Sequence, residues 1–306
     1  MKVITLNEEI PSTPVVAAIG FFDGVHTAHR RLIETMKREA SRRNLPSAVI
    51  TFDKHPRSIF SKEPYHYLTP LSRKIRKIGS YDVDYVYLIR FSSELAAMMP
   101  TLFIDTYLRN IKVLVCGFDF QFGHDALGTP ETLKAHGSFE TIVLERQDHH
   151  GDKIGSTAIR QAITDGDMKT VKVLLGEHYT IEGAVIHGAK KGRTIGYPTA
   201  NIDTRDYLVP KTGVYATRTR IHGVWHDSVS SVGYNPTLNK NDAVSVESHI
   251  FDFDDTLYEQ TVTVVFIKRL REERKFDSKE VLIEQIDKDV QDAKETLKRY
   301  KLNQPV

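Results

Sequence analysis

The sequence predicts an α/β unit built on a parallel, doubly wound sheet, followed by a small antiparallel β-barrel and a C-terminal helix. Three observations predict it. Short apolar runs alternate with helix-length amphipathic stretches up to about residue 175, the signature of a parallel sheet flanked by helices. From there to about residue 268 β-rich runs follow one another with Gly, Pro and Asn between them and no long helix, which suits a barrel. A final stretch carries apolar residues at helical spacing.

In chain order, residues 15–20 read as a buried strand. Residues 29–43 carry Leu32, Ile33, Met36 and Ala40 on one helical face. Residues 47–52, 85–89, 111–117 and 141–144 read as further strands, with helices expected over 71–78 and 93–108. The barrel strands are expected over 179–187, 213–221, 224–232, 243–251 and 260–268. The last helix starts near Ser278, with Asp277 or Ser278 as N-cap. Its stripe of Val281, Leu282, Ile286, Val290 and Leu297 reads as core packing. The length of 306 residues fits two domains, divided as 1–177 and 178–306.

Composition narrows the functional classes. Basic residues number 42 against 40 acidic, so a nucleic-acid partner is not expected; nucleotides need only a local positive pocket. A single cysteine, Cys116, excludes an intramolecular disulfide and suits a reducing cytosol. It sits in a strand-like run and reads as a buried structural thiol. The longest apolar run, 15–22, is too short for the roughly 20 residues of a membrane helix, and no secretory leader pattern opens the sequence. A cytoplasmic protein without a membrane partner is the expectation, as a monomer or weak homo-oligomer.

Two constellations carry chemistry. In Gly20-Phe-Phe22-Asp23-Gly24-Val-His26-Thr-Ala-His29 a buried strand runs through glycines into a helix. Free N–H groups and the helix dipole at such a start favour phosphate. Two imidazoles beside them can donate to charge developing on an α-phosphate. The second constellation runs from His187 to Asn201 and includes Gly188, Lys190, Gly192, Arg193 and Thr199. Glycines and cations in this density suit a loop that brings backbone N–H groups to phosphates, although it is not a P-loop; a solvated basic hairpin is the competing reading.

The first stretch resembles the GxFDGxHxGHxxLI signature of the nucleotidyltransferases that make FAD, with Ala28 in place of glycine. Further segments of the same half resemble that family: Thr51-Phe-Asp-Lys-His55-Pro-Arg57, Gly117-Phe-Asp119-Phe120-Gln-Phe-Gly123, and Ile154-Gly-Ser156-Thr157-Ala-Ile-Arg160 with Gly155 for the usual serine. The second half resembles riboflavin kinases in the 188–201 stretch, in Val246-Glu247-Ser-His249, and in Phe266-Ile-Lys-Arg-Leu-Arg271. The whole is similar to the bacterial bifunctional riboflavin kinase and FAD synthetase family.

That resemblance implies a Rossmann-like nucleotidyltransferase domain followed by a six-stranded riboflavin kinase barrel. It implies phosphorylation of riboflavin to FMN and adenylylation of FMN to FAD, with ATP, riboflavin and FMN as small-molecule partners and Mg²⁺ as cofactor. It further implies Glu247 as general base of the kinase, His26 and His29 as catalytic groups of adenylyl transfer, and Thr199 as metal ligand. Gly20, Phe22, Asp23, Gly24, Gly117, Asp119, Phe120, Ser156, Thr157 and Arg160 would line one nucleotide site. Gly188, Lys190, Gly192, Arg193 and Asn201 would line the other, with His55, Arg57 and Arg271 at flavin. Two alternatives stay open: a kinase whose adenylyltransferase half is impaired, and a non-enzymatic flavin-binding regulator. Asp252-Phe-Asp254-Asp-Thr256 also matches the DxDxT nucleophile motif of phosphatases. Its barrel-like surroundings, and the single helix expected in the 49 residues after Leu257, argue against that reading.

Overall fold

The computed structural model describes residues 1–149, 151–188, 192–204, 206–234 and 244–300, without the side chains of Arg193 and Thr194. The chain divides into two compact units, Met1–Ser156 and Thr157–Val306.

The first unit runs β1 (Lys2–Thr5), β2 (Val15–Ile19), α1 (Thr27–Arg43), β3 (Ser47–Phe52), α2 (Arg57–Phe60), α3 (Leu71–Gly79), β4 (Tyr85–Ile89), α4 (Ser93–Ala96), α5 (Pro100–Tyr107), β5 (Ile111–Gly117), α6 (Pro130–His136) and β6 (Glu140–Leu144). A two-stranded ribbon of β7 (Asp148–His149) and β8 (Asp152–Lys153) follows. The six main strands form one sheet in the order β1-β4-β3-β2-β5-β6, with every pairing parallel. The chain leaves β2 toward β3 on one side, while β5 lies on the other. The crevice beyond the C-terminal ends of β2 and β5 is therefore a topological switch point, where such sheets bind ligands. Alternation decides the two faces. Val16, Ala18, Val49, Val86, Val113 and Val115 pack under the α1 residues Leu32, Ile33, Met36 and Ala40. Ala17, Ile19, Ile50, Tyr87, Leu114 and Cys116 pack under Phe103, Ile104 and Tyr107 of α5.

The single helix expected over 93–108 is two, α4 and α5. Pro100 lacks the N–H that would continue the first and takes the N1 position of the second. The edge strand β1 and the short helices α2 and α6 were not expected; each is too short to show a period.

The second unit takes up α7 (Ser156–Asp165) from Thr157 and continues through α8 (Met168–Leu175) into β9 (Tyr179–Ile186), β10 (Ala200–Ile202), β11 (Gly213–Ile221), β12 (Val224–Tyr234), β13 (Val244–Ile250), β14 (Thr261–Arg271) and α9 (Lys279–Lys298). The six strands close a barrel in the order β10-β13-β12-β11-β14-β9, antiparallel throughout. Of these, β10 is a three-residue strand that begins inside the Thr199–Asn201 motif and ends at Ile202. Val214, Ala216, Val229, Val265 and Ile267 on the outer face pack against Val290, Ala293 and Leu297 of α9. The expected stripe on α9 is therefore core from Val290 onward, with Ile286 packed partly buried against it. Val281, in its first turn, is 45% exposed. Ser278 caps α9 by accepting from Val281 N.

The inner face of β11, β12 and β13 holds five wholly buried hydroxyls. Thr217 bonds Ser228 and Ser230 (2.8 Å each), Thr219 bonds Ser228 and Ser248 (3.0 Å each), and Ser230 donates to Ser248 (3.0 Å). These contacts close a five-membered ring in which each hydroxyl can donate once and accept once, so a polar patch inside the barrel is internally satisfied.

Candidate functional sites

In the first unit the buried strand β2 ends at Gly20 and feeds a tight loop, residues 20–25. Phe22 (φ 58°), Gly24 (φ 84°) and Val25 (φ 45°) all lie in the left-handed region. Only Gly24 adopts it without steric penalty, so the loop is held by its surroundings. Thr51 Oγ1 donates to Phe21 O (2.9 Å), Thr69 N to Asp23 Oδ1 (3.0 Å), and Ser156 Oγ to Asp23 O (3.2 Å).

The loop delivers His26 to the N-cap of α1. The two histidines were expected to project together from the first helical turn, but their roles differ. His26 is extended and its Nδ1 accepts from His29 N (3.4 Å). Its neutral ring therefore carries the proton on Nε2. The His29 ring stacks on it, centroids 3.6 Å apart, and His29 Nδ1 is buried with no partner among the described residues. Burial, with Lys77 next in importance, pushes the His26 pKa down to about 3. Burial, then His26, Lys74 and Lys77, hold His29 well below the usual range. Both rings are neutral at physiological pH. They can donate N–H to an oxyanion but cannot act as resident cations.

Around this pair, Gly117 ends β5, and a Cβ there would meet Asp119 Oδ1 at 3.1 Å. Asp119 is ion-paired with Lys153. Phe120 stacks on Phe122 at 5.6 Å. Ser156 meets the loop as described; Thr157 is exposed and Arg160 half-buried further along α7, in the second unit. Past β3, the His55 ring packs edge-on against Phe21 (4.8 Å) and flat on Tyr65 (4.2 Å, 4°), with Tyr67 against Tyr65 (4.9 Å). Arg57 is exposed, and its N–H donates to His55 Nδ1 (3.1 Å).

Sequence reasoning missed Lys74 and Lys77 on α3. Lys74 is 2% exposed and donates to Phe21 O (3.0 Å) and Phe52 O (2.8 Å), while Lys77 donates to Gly24 O (2.7 Å). The available signal was two lysines three apart on one helical face, the same spacing as the histidines.

In the second unit the short β10 places its residues by register. Asn201 lies opposite Glu247 of β13 and Ile186 of β9. Thr199, just before the strand, donates from Oγ1 to Glu247 Oε2 (3.3 Å). Asn201 Oδ1 is buried and has no partner among the described residues. A Cβ on Gly188 would collide with the Asn201 carboxamide, and one on Gly192 with Tyr197 O. Both glycines are thus required by close approach. His249 Nδ1–H donates to Pro198 O (2.9 Å), and the Tyr197 hydroxyl reaches Asp287 of α9. A hydroxyl, a carboxylate and an orphaned amide oxygen together form a hard oxygen donor set suited to Mg²⁺. Among the described residues no three His, Cys, Asp or Glu cluster to hold a metal by themselves. Lys190 and the side chain of Arg193 lie outside the described residues.

Arg271, expected at flavin, is held by partners within its own unit. Its Nε and Nη2 form a bidentate pair with the buried Asp289 of α9 (2.8 and 2.6 Å), and its Nη1 donates to Glu272 O (2.8 Å). The DxDxT stretch lies in the turn between β13 and β14, with Asp252 at φ 53°. It does not follow the parallel strand that a phosphatase nucleophile would need.

Comparison with known proteins accounts for both halves. The FAD synthetase family model matches residues 9–158 and the riboflavin kinase model residues 175–297. A bifunctional riboflavin kinase/FMN adenylyltransferase of Listeria monocytogenes is 42% identical over 306 residues, 96% of this chain and 98% of the relative. One of Bacillus subtilis is 39% identical over 287 residues, 91% of each chain. A crystal structure from Streptococcus pneumoniae, described as a macrolide-efflux protein, superposes with a TM-score of 0.85 at 34% identity, covering 96% of this chain and 98% of that one. Efflux is the description of that protein; among the described residues here no helix is long and apolar enough to cross a membrane. Matched in both halves and aligned almost end to end with such relatives, this chain belongs to the bifunctional riboflavin kinase/FMN adenylyltransferase family.

Proposed function

We propose that the second unit transfers the γ-phosphoryl group of ATP to the riboflavin 5′-hydroxyl, giving FMN and ADP. The first unit then transfers AMP from a second ATP to FMN, giving FAD and pyrophosphate. What carries the proposal is that each half of the chain assembles its own reactive pair: Thr199 Oγ1 against Glu247 Oε2 at 3.3 Å, and His26 stacked on His29 at the start of α1.

In the kinase, Glu247 takes the 5′-hydroxyl proton as that oxygen bonds to Pγ and the bond from Pγ to the β-phosphate oxygen breaks. A bound Mg²⁺ would neutralise phosphate charge, held by Thr199 Oγ1, with Asn201 Oδ1 as the neighbouring polar contact. Gly188 and Gly192 are assigned to the ATP phosphates, and the same role is assigned to Lys190 and Arg193 from the sequence motif. In adenylyl transfer, an FMN phosphate oxygen attacks Pα and pyrophosphate leaves. The Nε2–H of His26 and the ring N–H of His29 donate to the charge that develops, aided by the N-terminal dipole of α1. Gly20, Phe22, Asp23, Gly24, Gly117, Asp119, Phe120 and Ser156 serve ATP. His55 and the rings beside it offer a stacking face for flavin, with Arg57 for the FMN phosphate. Arg271, assigned to the flavin side of the kinase site, is held by its pair with Asp289 of α9. We assign the kinase role to residues 178–306 and the transferase role to 1–177, in the cytoplasm. The buried Cys116 thiol, pushed up to about 12 by burial, suits that reducing compartment.

The test is a product assay. Purified chain is given riboflavin, MgATP and pyrophosphatase, and flavins are separated with time. FMN should appear first and FAD after it. A reaction that stops at FMN would leave only the kinase, and absence of ATP consumption would leave only a binding protein.

A further inference from the structure

Loop 20–25 turns through three left-handed residues, two of them bulky, and yet must hold the histidine pair within a fraction of an ångström for adenylyl transfer. Besides its partners from β3 and residues 69 and 156, the loop is held by Arg30 of α1, whose Nε donates to Val25 O (3.4 Å), and by two lysines of α3. Lys74 reaches under the loop, ties Phe21 O to Phe52 O, and lies over the Phe21 ring (4.3 Å). The C-terminal ends of β2 and β3 are thereby bridged by one ammonium. Lys77, one turn on, ties Gly24 O. An ammonium buried to this degree is expensive unless its bonds require it, and an apolar side chain would fill the same volume without that cost.

We propose that Lys74, seconded by Lys77, is a positioning residue for adenylyl transfer, its ammonium holding loop 20–25 in the left-handed form that presents His26 and His29. The proposal rests on the reading of this site as the adenylyltransferase. The groups facing Lys74 are Asp23 on the loop, Asp53 after β3 and His29 on α1, the last of which Lys77 faces as well. Burial lowers the Lys74 pKa, the two carboxylates partly restore it, and it comes to about 8. Above that pH the amine keeps at most two N–H donors and loses its charge.

The test uses the full chain, whose kinase reaction reports independently on folding. Lys74→Met should lower kcat for FAD formation from FMN by about tenfold to a hundredfold, with a smaller change in the KM for ATP, while kinase turnover is retained. Lys74→Arg, which keeps a permanent charge able to bridge two carbonyls, should restore most of that rate. It should also remove an alkaline decline through about pH 8, which is the expected wild-type profile. Unchanged FAD formation in Lys74→Met would overturn the proposal while leaving the adenylyltransferase reading intact. If Lys74→Met loses both activities, the Lys74→Arg profile decides, and an alkaline decline coincident with wild type overturns the proposal. Wild type that makes FMN and never FAD removes the adenylyltransferase reading and this proposal together.

Discussion

The hydroxyl ring inside the barrel makes a prediction whose size follows from counting bonds. Five hydroxyls sharing five bonds leave no O–H unpaired. Thr217→Val conserves shape, opens the ring to a chain of four, and leaves one buried O–H without an acceptor, at a cost of about 1–3 kcal/mol. A second cut has consequences that depend on where it falls. Thr217→Val with Ser228→Ala removes neighbours, and the remaining three hydroxyls still leave a single orphan. Thr217→Val with Ser248→Ala removes non-neighbours, isolates Ser230, and leaves two orphans. The second double variant should therefore be the less stable by about 1–3 kcal/mol, although both lose two hydroxyls. Trp225, the only tryptophan in the chain, sits in β12 and reports unfolding of this unit alone. At a urea m-value of about 1–3 kcal/mol/M the two midpoints should differ by roughly 1 M. Equal midpoints, or a Thr217→Val variant as stable as wild type, would show that the hydroxyls find other partners and the ring is not the unit of stability.

Further outcomes follow from the sites and their supports. Glu247→Gln should abolish FMN formation while FAD formation from supplied FMN persists; loss of both in a folded variant would contradict separate sites. Arg271→Met should leave the buried Asp289 carboxylate without its cation, bonded by Gln285 Nε2 alone among the partners described. Because Arg271 keeps 21% of its side chain in water, the expected loss lies toward the lower end of about 3–5 kcal/mol; it is read by Trp225, and Arg271→Met with Asp289→Leu should recover much of it. Burial, followed by Lys172, pushes the His178 pKa from 6.5 to about 4. The folded state therefore binds fewer protons than the unfolded one between these values. The stabilisation is whole above about 6.5 and is lost as pH falls toward 4. His178→Gln should flatten that limb of the urea-midpoint profile, and an unaltered slope would place the titration elsewhere.

Sequence by itself determined the two fold classes, the main strands other than β1 and β10, and the two reactive constellations. These signals are local. An apolar run, a helical period, a glycine before a helix or a Thr-x-Asn string are each read within a few residues, and their order along the chain is legible without folding. Tertiary structure decided what depends on neighbours far apart in sequence. Whether His26 and His29 are charged is set by burial and by lysines some fifty residues away. That Arg271 pairs with Asp289 is decided by where α9 packs. Lys74 reads as an ordinary helix-surface cation, yet closure of α3 over the ends of β2 and β3 turns it into a buried brace. Only barrel closure converts five scattered hydroxyls into a ring. Burial and partner choice are properties of contacts between elements, and no periodicity within an element encodes them.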